Sequence, residues 1–182
     1  MNSKNPTNIA NSKITLRPVK LGDAHFLVQM MDDEDYKKYY PERLILDSIE
    51  KAEQEVKKAI RSKKRGLGNF FILETKLKNK NKRIGLINIY KINKNDSRAS
   101  VGYGVLKEFQ GKGIATQAGK VALKFMKQKL KLHACEATTH PHHKASVRVL
   151  EKLGFHKVGL MKDYHKNSNG KYQDRELYWK IL

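Results

Sequence analysis

From Val101 to Thr116 the chain reads Val-Gly-Tyr-Gly-Val-Leu-Lys-Glu-Phe-Gln-Gly-Lys-Gly-Ile-Ala-Thr. An apolar, strand-like run enters a glycine-rich turn, Gln110-Gly111-Lys112-Gly113, and helical spacing begins at Ile114-Ala115-Thr116. The first amides of a helix have no partner within it, and the helix dipole adds partial positive charge there. Glycines let the backbone come close to an anion. The turn is therefore suited to a diphosphate. Its glycine spacing is not that of the dinucleotide fingerprint, and no Gly-Lys-Ser/Thr follows as in a P-loop. Taken alone, the fragment is equally well a plain strand-to-helix connection.

Two other groups of residues invite chemistry. His140-Pro141-His142-His143 suggests a metal, but Pro141 and the lack of a carboxylate or thiol at ligand spacing argue for loop histidines, so no metal is expected. Cys135 is the single cysteine, which forbids an internal disulfide and a multi-thiolate site. Its place in a strand pattern reads as a small buried residue.

The elements that position these residues follow from periodicity. Ile14 to Arg17 is a short strand ended by Pro18. Asp23 is placed to cap a helix carrying Leu27, Met30 and Met31. Tyr36, Tyr39, Tyr40 and Pro41 read as an aromatic connection. Asp47 or Ser48 caps a second helix to about Ser62, with Ile49, Ala52, Val56 and Ile60 on one face. Phe70–Thr75, Arg83–Tyr90 and Ala99–Leu106 form an antiparallel meander, the first turn being Lys78 to Asn81. A long helix follows to about Lys131, with Ala118, Val121, Ala122, Phe125 and Met126 inward. His133–Thr139 is a strand, Lys144–Leu153 a helix stopped by Gly154, and Phe155–Leu160 and Tyr172–Ile181 are the last strands. The order β-αα-βββ-α-β-α-ββ predicts an α/β fold. Its sheet is mixed, mostly antiparallel and seven-stranded, with about four helices.

Composition bounds the rest. The 182 residues are 39% apolar, enough for a core, and fit one domain, residues 13–182, after a polar leader over 1–12 expected to be flexible. No apolar run reaches the ~18–20 residues of a membrane span, and Met1 to Lys13 holds no signal-peptide core. A cytoplasmic location is expected. The net charge of +20 comes mostly from lysine and is densest from Lys76 to Arg98. It reads as a solvated surface, or as attraction to RNA, a ribosome or CoA phosphates. No RNA-binding signature or zinc-finger spacing accompanies it.

Gln110 to Ala115 fits the Gln/Arg-x-x-Gly-x-Gly/Ala pattern of the GNAT N-acetyltransferase superfamily. Ala145 to Phe155 resembles that superfamily's later helix and Gly-Phe turn. Leu16-Arg17-Pro18 and Gly170 to Tyr178 resemble its ribosomal-protein N-terminal (alanine/serine) acetyltransferase branch. The resemblance implies acetyl-CoA as donor, its diphosphate held by the backbone N–H groups of Gln110, Gly111, Lys112, Gly113, Ile114, Ala115 and Thr116. It implies a bulge in the preceding strand, a splay from the next one, and pantetheine pairing with the edge Gly104, Val105 and Leu106. An N–H near Val105 would face the thioester oxygen.

Transfer to an amine needs a neutral amine, an oxyanion donor and a proton for the leaving thiolate. Ser146 matches the hydroxyl this branch places near the CoA sulfur; its alternative is a polar residue of a first helical turn. His143 stands where relatives have Asn, and either replaces that residue's bond to pantetheine or leaves it unmade. Leu150 stands where many relatives carry an acidic Tyr. Candidate bases are His165, otherwise a solvent-facing loop histidine, and Glu136, otherwise a surface carboxylate; a water chain is the third option. Direct transfer is expected rather than a Cys135 relay. The acceptor implied is a primary amine, first a protein N-terminal α-amine such as that of a ribosomal protein. A polyamine, amino acid or aminoglycoside is the alternative, and a non-catalytic RNA- or ribosome-binding protein the reading of another class. Lys63-Lys64-Arg65 would repel polycations if it lined the acceptor cleft. Either a monomer or a homodimer is compatible.

Overall fold

The computed structural model describes residues 14–77 and 80–182; the leader over 1–12 and the first two residues of the Lys78–Asn81 turn lie outside them. Seven strands form one sheet: β1 (Thr15–Pro18), β2 (Asn69–Leu77), β3 (Lys80–Asn93), β4 (Arg98–Val105), β5 (Ala134–Thr139), β6 (His156–Lys166) and β7 (Tyr172–Ile181). Their order is β1-β2-β3-β4-β5-β7-β6. Only β4 and β5 run parallel, joined through a long helix as a parallel step requires.

Among the described residues five α-helices accompany the sheet: α1 (Ala24–Met31), α2 (Glu34–Tyr39), α3 (Ile49–Lys64), α4 (Ile114–Gln128) and α5 (Lys144–Lys152). Strand alternation divides the core. Phe71, Leu73, Ile87, Val101 and Val105 pack with α4 and α5, whereas Ile72 and Leu86 pack with Leu27, Met30 and Val56 of α1 and α3.

Several local expectations are refined. The tyrosine-rich connection contains the short helix α2, whose Asp33 cap accepts the Asp35 amide at 2.8 Å. Ser48, not Asp47, caps α3 through Lys51 N–H at 3.2 Å. Asp23 does not cap α1 with its side chain. Its carboxylate accepts from Lys20 N–H at 2.8 Å and from both terminal nitrogens of Arg17 at 3.0 and 2.8 Å. Arg17 also donates to Glu74 at 2.7 Å, fastening β1 and the start of α1 to β2. In α4 the buried arc is Ile114, Ala118, Ala122, Leu123 and Met126. Val121, expected inward, falls just past its edge and is 43% exposed. The strand expected to end at Leu160 continues to Lys166 as an edge strand, where exposed polar residues conceal the alternation.

Candidate active site

The register of β4 against β5 creates a cleft. The pairs are Arg98–Ala134, Ala99–Cys135 and Ser100–Glu136, and there they end. Beyond Ser100, β4 remains paired with β3 through Val105 while its other edge opens. The implied splay is thus present. The implied bulge in β4 is not: the irregularity lies in β3 between Tyr90 and Asn93, where Lys91 has a φ of 52°.

Backbone direction along that edge is fixed by one bond. Leu106 N–H donates to Ile84 O at 2.9 Å, on the β3 side. Alternation turns Gly104 the same way and leaves the N–H groups of Tyr103 and Val105 facing the cleft. The open edge is therefore Tyr103 and Val105, not Gly104 and Leu106. The Val105 carbonyl accepts from Gln110 Nε2 at 3.1 Å, which ties the glycine turn to the end of β4.

The turn itself is a 3-10 stretch, Lys107–Phe109, followed by Gln110 and the two glycines. Gln110 N–H donates to Lys107 O at 3.1 Å, so this amide is committed and is removed from the diphosphate-facing set. Gly111 and Gly113 have φ of 71° and 74°, the left-handed region that favours glycine. A Cβ on either would meet no protein atom within 4 Å, so both face open space. Gly113 is the N-cap of α4, and among the described residues no side chain caps that end. The first backbone bond of the helix is Gln117 N–H to Gly113 O at 2.9 Å, which leaves the amides of Ile114, Ala115 and Thr116 aimed along the axis. Lys112 Nζ donates to Glu108 O at 2.5 Å.

Ser146 lies in the first turn of α5, on the α4 side of the sheet. The Tyr103 hydroxyl stands 3.2 Å from its Oγ and 3.1 Å from its carbonyl oxygen. Burial pushes the Tyr103 phenol well above its ordinary pKa, so it is protonated. Sequence reasoning passed over Tyr103; its one local signal was an aromatic residue between two glycines in a strand. Leu150 is buried in the core. Cys135 is fully buried, and its thiol is pushed up to about 12, chiefly by burial. Both features oppose a thiolate nucleophile.

On the other face, Glu136 occupies the last paired position before the splay. Its Oε1 accepts from Ser100 Oγ at 2.6 Å, and Arg98 Nη1 lies 3.8 Å from Oε2. Glu136 and Ser146 therefore approach the cleft from opposite faces of the sheet. Tyr36 of α2 packs against Gly104 so closely that a Cβ there would stand 1.5 Å from its hydroxyl oxygen. That hydroxyl is buried without a partner among the described residues. Tyr39 stacks on His143 with ring centroids 4.4 Å apart and planes 9° apart. Burial lowers the His143 pKa, and the ring does not cap α5. His165 is half-buried near the end of β6, not a solvent-facing loop residue. Its Nδ1 lies 3.2 Å from Arg43 Nη2. Burial, Arg175, Arg43 and Lys91 push it down to about 4. A lone pair so weakly basic and already engaged is poorly suited to take an ammonium proton. Lys63 borders a hollow with Thr15, Phe71 and Phe125. Among the described residues no group of three His, Cys, Asp or Glu side chains could hold a metal ion, and no helix is long and apolar enough to cross a membrane.

A mixed sheet splayed at its parallel pair, with an uncapped helix at the mouth, is the frame of an acyl-CoA transferase. The acetyltransferase (GNAT) domain family matches residues 13–156, and the chain belongs to that family. It is accordingly an N-acetyltransferase that uses acetyl-CoA. An uncharacterized N-acetyltransferase p20 of Bacillus licheniformis is 29% identical over 154 residues, 85% of either chain. The spermidine N(1)-acetyltransferase of Vibrio cholerae is 28% identical over 165 residues, 90% of either chain. The solved ribosomal-protein-S5-alanine acetyltransferase of Vibrio fischeri superposes with a TM-score of 0.79 at 28% identity, covering 92% of both chains.

Proposed function

We propose that the chain moves an acetyl group directly from acetyl-CoA to a primary amine, in the first instance the N-terminal α-amine of a protein of the ribosomal kind. The observation that carries the catalytic reading is the Val105 N–H on the open edge of β4, between the α4 turn and the Tyr103–Ser146 pair. The donor supplies an acetyl thioester. Amides from Gly111 to Thr116 hold its diphosphate, and Tyr103 and Val105 hold its arm along the β4 edge. The Val105 N–H polarises the acetyl oxygen as the amine nitrogen attacks the carbonyl carbon.

The C–S bond then breaks, and the thiolate takes a proton from Ser146 Oγ. The Tyr103 hydroxyl passes a proton to Ser146 Oγ and regains one from solvent, matching the proton that Glu136 later releases to solvent. The acceptor nitrogen loses its proton to Glu136, directly or through water, on the other face of the sheet. The His143 ring is held by its stack on Tyr39 of α2.

The test is thiol release from acetyl-CoA across N-terminal peptides, polyamines and aminoglycosides. Release with α-amine peptides supports the reading. Failure with every amine, together with salt-sensitive RNA binding, would replace it with the non-catalytic alternative.

A further inference from the structure

Arg175 of β7 is 2% exposed. Alternation puts it on the face of Leu177 and Trp179, opposite Tyr178, which joins the α4–α5 core. Trp179 is paired with Glu136, and Glu136 with Ser100, so this is the face that also carries Gly102 and Gly104. One terminal nitrogen, Nη2, donates to Gln173 Oε1 at 3.0 Å. The other, Nη1, is buried with no acceptor among the described residues.

No carboxylate among the described residues answers this charge. Asp174, its neighbour in sequence, accepts Asp163 N–H at 2.9 Å. Glu176 is engaged by Lys157 and Tyr178. Glu136 is held by Ser100. The ionisable groups that feel the guanidinium are Tyr40, His140, His143 and His165, and Arg43 adds a second cation beside His165. Tyr36, packed beside Tyr40, presents its own unpartnered hydroxyl. A buried cation without a counter-charge destabilises a fold, and a natural reason to keep one is that the counter-charge comes with a ligand.

Resting on the acetyl-transfer reading, we infer that Arg175 sets acceptor specificity by pairing with a carboxylate on the acceptor. The enzyme then acetylates amines that carry a carboxylate and rejects polyamines, whose remote ammonium groups meet Arg175 and Arg43. The carboxylate belongs either to a free α-amino acid or to an acidic side chain next to a peptide's N-terminus.

The experiment compares kcat/KM for matched acceptors: a peptide beginning Ala-Asp against one beginning Ala-Asn, alanine against alaninamide, and spermidine. The acid member is expected to lead its amide by about tenfold or more, as removal of a charge-assisted hydrogen bond implies. The pair with the faster acid identifies the carboxylate's source. Arg175→Gln should erase the difference, mainly through KM, while Arg175→Lys keeps part of it. Equal rates for acid and amide, or a preference that survives Arg175→Gln, would overturn the assignment. Thermal unfolding separates a structural role: Arg175→Gln should melt no lower than the parent, and a lower midpoint argues for a brace. Should no amine turn over, the acetyl-transfer reading fails. Binding of N-acetylalanine against N-acetylalaninamide to the CoA-loaded protein then decides: an acid preference lost in Arg175→Gln supports the carboxylate site, and its absence removes it.

Discussion

The phenol oxygen of Tyr103 lies 3.2 Å from Oγ of Ser146, although 43 positions separate the two in the chain. β4 supplies one hydroxyl and α5 the other, and the open Val105 amide stands two residues beyond Tyr103. Were the pair a proton path to the departing thiolate, either hydroxyl should matter to turnover. Ser146→Ala and Tyr103→Phe should each lower kcat by about ten- to a thousandfold, with little change in acetyl-CoA affinity. The double variant should be no worse than the poorer single one. Steady-state kinetics with calorimetric donor binding check this; an unchanged kcat in Ser146→Ala removes its acid role.

Gly113 offers a clean probe of the diphosphate site. Its φ of 74° is one that Asn and Asp tolerate better than other side chains, and a Cβ there meets nothing. Gly113→Asn should therefore fold and bind acetyl-CoA with modest loss. Gly113→Asp, nearly the same shape but charged, should bind at least about tenfold more weakly than Gly113→Asn, and the gap should narrow in high salt. Equal affinities of the two folded variants would move the diphosphate elsewhere.

Gly104 is required by its neighbour. An added Cβ collides with the Tyr36 ring end, so Gly104→Ala should destabilise the fold by about 1–3 kcal/mol. Combining it with Tyr36→Ala should restore part of that loss, because the obstructing ring is gone. Denaturant unfolding of the four proteins measures the coupling; strict additivity would mean that α2 does not press on β4.

Asp23 makes stability depend on pH. Burial alone would raise its pKa, but hydrogen bonds from Arg17 and the Lys20 amide, with Arg83 nearby, hold it below the ordinary carboxylate value. A depressed pKa contributes stability that is complete above the unfolded value of ~4 and is lost as pH falls through the folded value. His165, pushed down to about 4 from 6.5, acts in the same sense between those values. Stability should hold above neutrality and decline in acid. Asp23→Asn should cost about 3 kcal/mol near pH 7 and progressively less below pH ~4. Unfolding midpoints across pH check it; a difference independent of pH would contradict the ionic origin.

The sequence by itself determined the seven strands, the helices other than α2 and the glycine turn at the head of α4. These rest on local patterns: period-two and period-3.6 alternation, caps, and glycines at fixed offsets. It also offered Ser146 and Val105 through the resemblance, and Glu136 as a carboxylate on the strand beside the cleft. Tertiary structure decided the rest. That Tyr103 meets Ser146, that Tyr36 needs Gly104 bare, and that Arg175 is buried unpaired depend on which strands lie side by side. Which amides of the turn and of the β4 edge stay open depends on bonds already made by Gln110 and Leu106. No local pattern records such meetings, because each joins residues that the chain keeps far apart and only the packed sheet brings within reach.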